Sequence, residues 1–224
     1  QKAVEIASNG LPVEPKDYLL DPTPYAALEW AKEYCLALAR GDTQVRLSFD
    51  IETPGKGEDE GELDGDDPPY NIFRVGFSYR AHSALSVPWS FEYIPAIKLL
   101  LGSEGEKIVW NAGFDVPRIR AAGVEINGLI HDGMVAWHIL QSDLPKGLGF
   151  VATFTCPWQL AWKHLSGAAP AFYNATDADV EWRSMAFISN ELVRTGLWSV
   201  YQRDVLDLEP ILIHMHNQGM PIEW

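Results

Sequence analysis

The sequence predicts an α/β fold: a mixed sheet in which an antiparallel meander is followed by parallel strands, with helices on its faces. Three observations carry this expectation. Three β-prone runs, 45–52, 71–80 and 84–89, follow one another with no helix-forming segment between them. A short apolar run, 107–110, then feeds a turn and a helix, beginning an alternation of strand and helix. A long helical pattern over roughly 171–196 supplies a covering layer.

Residues 1–40 read as an N-terminal extension and a helix. "DPTPYAALEWAKEYCLALARG" has a Pro-marked entry, helix-forming residues and Gly41 at its exit. The run "VRLSFDIE" (45–52) alternates, with Val45, Leu47, Phe49 and Ile51 on one side and Arg46, Ser48, Asp50 and Glu52 on the other. "NIFRVGFSYR" (71–80) and "ALSVPW" (84–89) complete the meander. "FEYIPAIKLLLG" predicts a helix ending near Gly102, and "KIVW" (107–110) a short strand. "NAGFDVPRIRAAG" is a turn feeding a helix that Gly123 closes. "VEINGLI" predicts strand fragments and "HDGMVAWHIL" another helix. The Pro-, Gly- and aromatic-rich stretch 142–170 predicts loops and short helices. The main body thus spans 41–196 with an acidic insertion at 55–67, and 197–224 adds a partly amphipathic closing helix.

At 224 residues, with 47% hydrophobic residues and nine Trp, the chain can bury a full core. No apolar run approaches membrane-spanning length, and no signal peptide opens the chain, so no membrane partner is expected. A start at Gln1 and a stop at Trp224, straight after a helical pattern, read as cuts from something longer. Cys35 and Cys156 are too few for a disulfide framework, and no C-x-x-C or zinc-like cluster exists, which favours a reducing, intracellular setting. The formal charge of −14 argues against a nucleic-acid partner until its distribution is considered. Seven acids (Glu58, Asp59, Glu60, Glu62, Asp64, Asp66, Asp67) stand against one Lys in "GKGEDEGELDGDD". They lack EF-hand spacing and read as a solvated, mobile loop.

Three places could carry chemistry. Asp50 and Glu52 share a strand face with Cα atoms about 6.6 Å apart, a separation from which carboxylates can converge on paired divalent ions. The alternative is a solvent-facing strand edge bearing two ordinary acids. Asp115 closes the turn "NAGFD", where it could instead be only the N-cap of a helix with Pro117 in its first turn. Asp132, before "GMVAWHIL", reads as a cap. In "YNATDADV", Tyr173 and Asp177 are four apart and share a helix face. Asp179 has Arg183 at i+4 as an ion-pair partner, whereas Asp177 has the like-charged Glu181, so Asp177 makes more sense facing a cation.

The ordered set D-x-E, N-x-x-F-D and Y-x-x-x-D resembles the DEDD superfamily of 3′–5′ exonucleases, in the subclass with Tyr in the third motif. "FDIET", "NAGFD" and "YNATDADV" look most like the proofreading domain of family A DNA polymerases, over about 45–190 and with a phage-type look. The resemblance implies an RNase H-like fold and two magnesium or manganese ions. It implies that Asp50 bridges both ions, Glu52 and Asp177 complete the first ion's protein ligands, Asp115 anchors the second partly through water, and Tyr173 orients the attacking water. Thr53, Asn111 and Phe114 match positions near the terminal nucleotide. Asp132-Gly133 stands where the family usually has Asp-Thr. The implied substrate is a single-stranded or frayed DNA 3′ end, the implied partner a covalently linked polymerase domain, and the implied setting the cytoplasm of a bacterial or phage-infected cell. An RNA-trimming exonuclease and a noncatalytic DNA clamp are the rival readings.

Overall fold

The structure is a computed structural model describing residues 15–41, 45–54 and 72–219. The acidic insertion at 55–67 lies outside the described residues, as do residues 1–14 and 220–224. Six strands are described: β1 (Asp17–Leu20), β2 (Leu47–Glu52), β3 (Arg74–Arg80), β4 (Ser83–Pro88), β5 (Lys107–Val109) and β6 (Ile130–Asp132). They form one sheet in the order β1-β4-β3-β2-β5-β6. β2, β3 and β4 make the expected antiparallel meander, while β5 runs parallel to β2 and β6 parallel to β5. The sheet changes character at β2, which pairs antiparallel on one side and parallel on the other. Within the segment read as an N-terminal extension, β1 adds parallel to β4 as an edge strand. The last strand falls at Ile130–Asp132, C-terminal to most of "VEINGLI".

Helices cover both faces. On one side lie α1 (Pro24–Ala39), α2 (Ile94–Leu101) and α3 (Ala112–Ala121). Thr23 caps α1, its Oγ1 accepting from the Ala26 amide at 3.2 Å, and Gly41 follows the helix with φ +77°. The side chains of Leu47, Phe49 and Ile51 pack here with Phe77, Trp30, Tyr34, Ile97 and Val116. On the other side lie α4 (Gly133–Leu140), α5 (Leu148–Thr155) and the long α6 (Pro170–Arg194), which crosses β2, β3 and β4. Ile108, Trp137, Val151, Met185, Ile188 and Leu192 form a second core there. The tail continues as α7 (Trp198–Tyr201), a π-turn (Gln202–Leu206) and α8 (Glu209–Gln218). The alternation in β2 thus separates two packed faces, with α6 covering the one that carries the acids.

One contact sets how closely α6 approaches. Gly76 is the cross-strand partner of Asp50, and a Cβ at Gly76 would meet the Asn174 carbonyl oxygen at 2.7 Å and its Oδ1 at 2.8 Å. Only glycine lets the helix lie this low over the strand pair. Gly76→Ala should therefore cost about 1–3 kcal/mol in urea unfolding, whereas Gly167→Ala, where a Cβ meets nothing within 4 Å, should change stability by under about 0.5 kcal/mol.

Candidate metal centre

The C-terminal half of β2 presents Asp50 and Glu52 toward α6, which presents Tyr173, Asn174 and Asp177 on the facing side. Asp50, Glu52 and Asp177 each offer an oxygen, and the three atoms lie within 4.8 Å of one another. Asn174 fixes Asp50: its Nδ2 donates to the Asp50 carbonyl at 3.0 Å and to Oδ2 at 2.8 Å. The Ser86 hydroxyl holds Asn174 in turn, donating to Oδ1 at 2.7 Å. Asp177 Oδ1 accepts from Trp162 Nε1 at 2.9 Å and from Lys163 Nζ at 2.5 Å. The Tyr173 hydroxyl, half-buried, accepts from the same ammonium at 3.2 Å.

Asp115 is not the N-cap of its helix. α3 begins at Ala112, and Asn111 takes the cap position in the left-handed region at φ 76°. Asp115 therefore sits inside the first turn, 3% exposed, and its Oδ1 accepts from the Ile51 amide of β2 at 3.2 Å. It lies beside the carboxylate trio rather than within it. Asp132 caps α4 as expected, accepting from the amides of Met134 at 2.8 Å and Val135 at 3.2 Å. It also takes the Asn111 and Ala112 amides, at 3.2 and 2.6 Å, so one carboxylate serves two helix N-termini. Thr53 follows β2 and is half-buried. Phe114 is 37% exposed, with the Arg118 guanidinium 3.6 Å from its ring centroid.

The electrostatics are those of a site short of positive charge. Burial raises Asp50 well above the ordinary carboxylate range, and the charges of Asp177, Asp115 and Glu52 push it further. Burial, then Asp177, lifts Glu52 to about 7. Asp115 rises to about 8 by burial, against the opposing Ile51 amide and Arg118. Burial raises Asp177 too, outweighing the Lys163 ammonium. Burial alone would lower Lys163, but Asp177 and then Tyr173 reverse this and raise it. Tyr173 goes up to about 12 by burial and the Asp177 charge.

Glu181 belongs to the same field. It is 1% exposed, its Oε2 has no hydrogen-bond partner among the described residues, and burial followed by Asp50, Asp115 and Asp177 raises it well above its usual value. An all-oxygen cluster of half-buried Asp50 and Glu52 with buried Asp177, and a partnerless Glu181 oxygen in the same field, fits divalent cations of the Mg²⁺ or Mn²⁺ type.

Sequence reasoning missed Asn174, Trp162 and Lys163, which hold or neutralise the acids, and it took Glu181 only as an unfavourable surface neighbour of Asp177. The last was a usable signal: a like charge at i+4 on a helix is as well explained by burial of both as by exposure.

No family model matches the chain, and no curated protein sequence matches it. Solved structures do. The POL domain of Pol1 from M. smegmatis, in complex with DNA primer-template and dNTP, aligns with a TM-score of 0.69 at 13% identity, covering 92% of this chain and 33% of that one. Brucella melitensis NrnC with bound Mg²⁺ aligns with a TM-score of 0.61 at 16% identity, covering 92% of this chain and 95% of that one. Trypanosoma brucei RNase D aligns with a TM-score of 0.54 at 16% identity, covering 79% of this chain and 64% of that one. At these identities the likeness establishes the fold, an RNase H-like mixed sheet flanked by helices.

Two titrations follow from the raised acids. Glu52 and Asp115 have folded values of about 7 and about 8, so their contribution to stability is fully present below the ordinary carboxylate range near about pH 4. It is lost as pH rises through those folded values. Mn²⁺ should reverse the loss, and its gain in Tm should be larger at about pH 8 than at about pH 5.5, because protons no longer compete for the carboxylates. Glu181→Gln should be near neutral at about pH 4 and increasingly stabilising above it, by at most about 1.4 kcal/mol per pH unit, in metal-free urea titrations.

Proposed function

We propose that the chain is a metal-dependent 3′–5′ exonuclease, hydrolysing the terminal phosphodiester of a DNA strand and releasing nucleoside 5′-monophosphates. One observation carries the reading: Asp50, Glu52 and Asp177, remote in sequence, bring their oxygens within 4.8 Å of one another. Asp50, Glu52 and Asp177, with Asp115 behind them, would hold two divalent cations, Mg²⁺ or Mn²⁺, and bound metal would supply an acidified water and positive charge against the phosphate oxygens.

The chain's own residues do the positioning. Asn174 pins the Asp50 carboxylate, and Trp162 pins Asp177 from its buried side. Tyr173, neutral throughout the physiological range with its value near 12, keeps a hydroxyl available to orient the attacking water. Phe114 offers a partly exposed ring to the terminal base, with Asn111 and Thr53 as further contacts to the terminal nucleotide. The alignment over 33% of the Pol1 chain supports a proofreading module joined to a polymerase domain in a longer protein.

A second reading, an RNA-trimming exonuclease that works without a polymerase, is favoured by the near-complete length match to NrnC and the likeness to an RNase D. Matched 3′-labelled DNA and RNA oligonucleotides, incubated with Mg²⁺ or Mn²⁺, separate the two. DNA should be shortened from its 3′ end faster than RNA, and Asp50→Ala should lower the rate about a thousandfold. Faster RNA cleavage would reverse the substrate assignment. A folded chain that cuts neither under either metal would leave a nucleic-acid clamp.

A further inference from the structure

Lys163 reaches the metal centre from its open side. Its side chain is 45% exposed while that of Asp177 is 3% exposed, and its ammonium lies 2.5 Å from Asp177 Oδ1 and 3.2 Å from the Tyr173 hydroxyl. Trp162, 3% exposed, donates to the same Asp177 oxygen at 2.9 Å from the buried side. The two donors differ in kind. The indole is locked in the core, whereas the ammonium ends a flexible stem rooted in the short 3₁₀ turn Lys163–Leu165, 4.9 Å from the Tyr173 ring centroid and 5.5 Å from that of Trp162. The ammonium is also the cation whose charge bears on Asp50, Glu52, Asp177 and Glu181 together.

We propose that Lys163 exchanges partners during the catalytic cycle: its ammonium neutralises Asp177 until a divalent cation takes that carboxylate, and it then binds a nonbridging oxygen of the phosphate being cleaved. This rests on the exonuclease reading. An ammonium and a metal ion compete for the same carboxylate lone pairs, so loading the metal releases the ammonium. Once released, it remains a hydrated, exposed positive charge at the mouth of the site. In a chain of formal charge −14, that is where an incoming phosphate meets a cation on a flexible arm. Lys163 is thus a catalytic residue that acts against metal binding and in favour of substrate binding, and this opposition of sign is its signature.

The test titrates Mn²⁺ into Lys163→Met and the unsubstituted chain without nucleic acid, by calorimetry, then titrates thymidine 5′-monophosphate into each Mn²⁺-loaded protein. Lys163→Met should bind Mn²⁺ about tenfold more tightly and the monophosphate about tenfold more weakly. Lys163→Arg should keep the monophosphate affinity, and the loss of kcat/KM on oligonucleotides in Lys163→Met should lie mainly in KM. Unchanged or weaker Mn²⁺ binding in Lys163→Met would overturn the exchange, and so would unchanged monophosphate binding. If Lys163→Met unfolds, Lys163→Gln reads the same two affinities. An unsubstituted chain that binds Mn²⁺ yet cleaves neither DNA nor RNA would overturn the exonuclease reading, while the Mn²⁺ comparison would still decide whether Lys163 competes for Asp177.

Discussion

Withdrawal of several carboxylates from water, compounded by their crowding, is the constraint around which this protein is arranged. Asp50, Glu52 and Asp177 converge, Asp115 lies beside them, and Glu181 is buried within the same field. Removing such groups from water disfavours their ionised forms, and crowding them disfavours those forms again. Hydrogen bonds from Asn174, Trp162 and the Ile51 amide fix orientations but add no full charge. Without metal, the centre balances its charge with protons and one lysine. Divalent cations bound here would replace that arrangement with stronger compensation, and metal affinity, proton release and fold stability would then be linked.

The fold supplies the convergence through a small number of close contacts. β2 lies at the change from antiparallel to parallel pairing, and its acids face the long helix α6, which crosses β2, β3 and β4. Gly76 makes that approach possible, and Asn174, at the point of approach, becomes the residue that grips Asp50. The same economy appears at Asp132, which ties the starts of α3 and α4 together and so fixes the turn that carries Asp115 beneath β2. Asp132 thereby has a structural role made of four amides.

Periodicity made the central fold legible. The alternation in 45–52 located β2 and the side from which its acids project, and the helical pattern over 171–196 located α6 to within two residues. What sequence could not reveal depended on contacts remote along the chain. The edge strand β1 exists because β4 offers it a partner, and four residues carry too little pattern to announce it. Taken alone, Asp115 looked like a cap because a local helix start explains an Asp before Val-Pro; only the ordered set of motifs pointed it toward the acids, and the contact that places it, to the Ile51 amide 64 residues away, has no local trace. Lys163 lies in an aperiodic aromatic tract, and nothing local distinguishes it from a surface lysine.

Two aspartates of α6 show how partners separate structure from chemistry. Asp177 and Asp179 are both buried, at 2% and 0% exposed, and are two residues apart. Asp179 is fully engaged: it accepts from the Tyr18 hydroxyl of β1 at 2.7 Å, the His82 amide of the β3–β4 turn at 2.7 Å and Arg183 of its own helix at 3.0 Å. Its charge is permanently compensated, and it anchors the helix to the sheet edge. Asp177 has the rigid Trp162 on one side and, for compensation among the described residues, one half-exposed lysine on the other. A buried carboxylate balanced by a displaceable cation can change partners, whereas one balanced by a locked guanidinium and two hydrogen bonds cannot. That difference leaves Asp177 free to serve the proposed chemistry on one flank of α6 while Asp179 anchors the other.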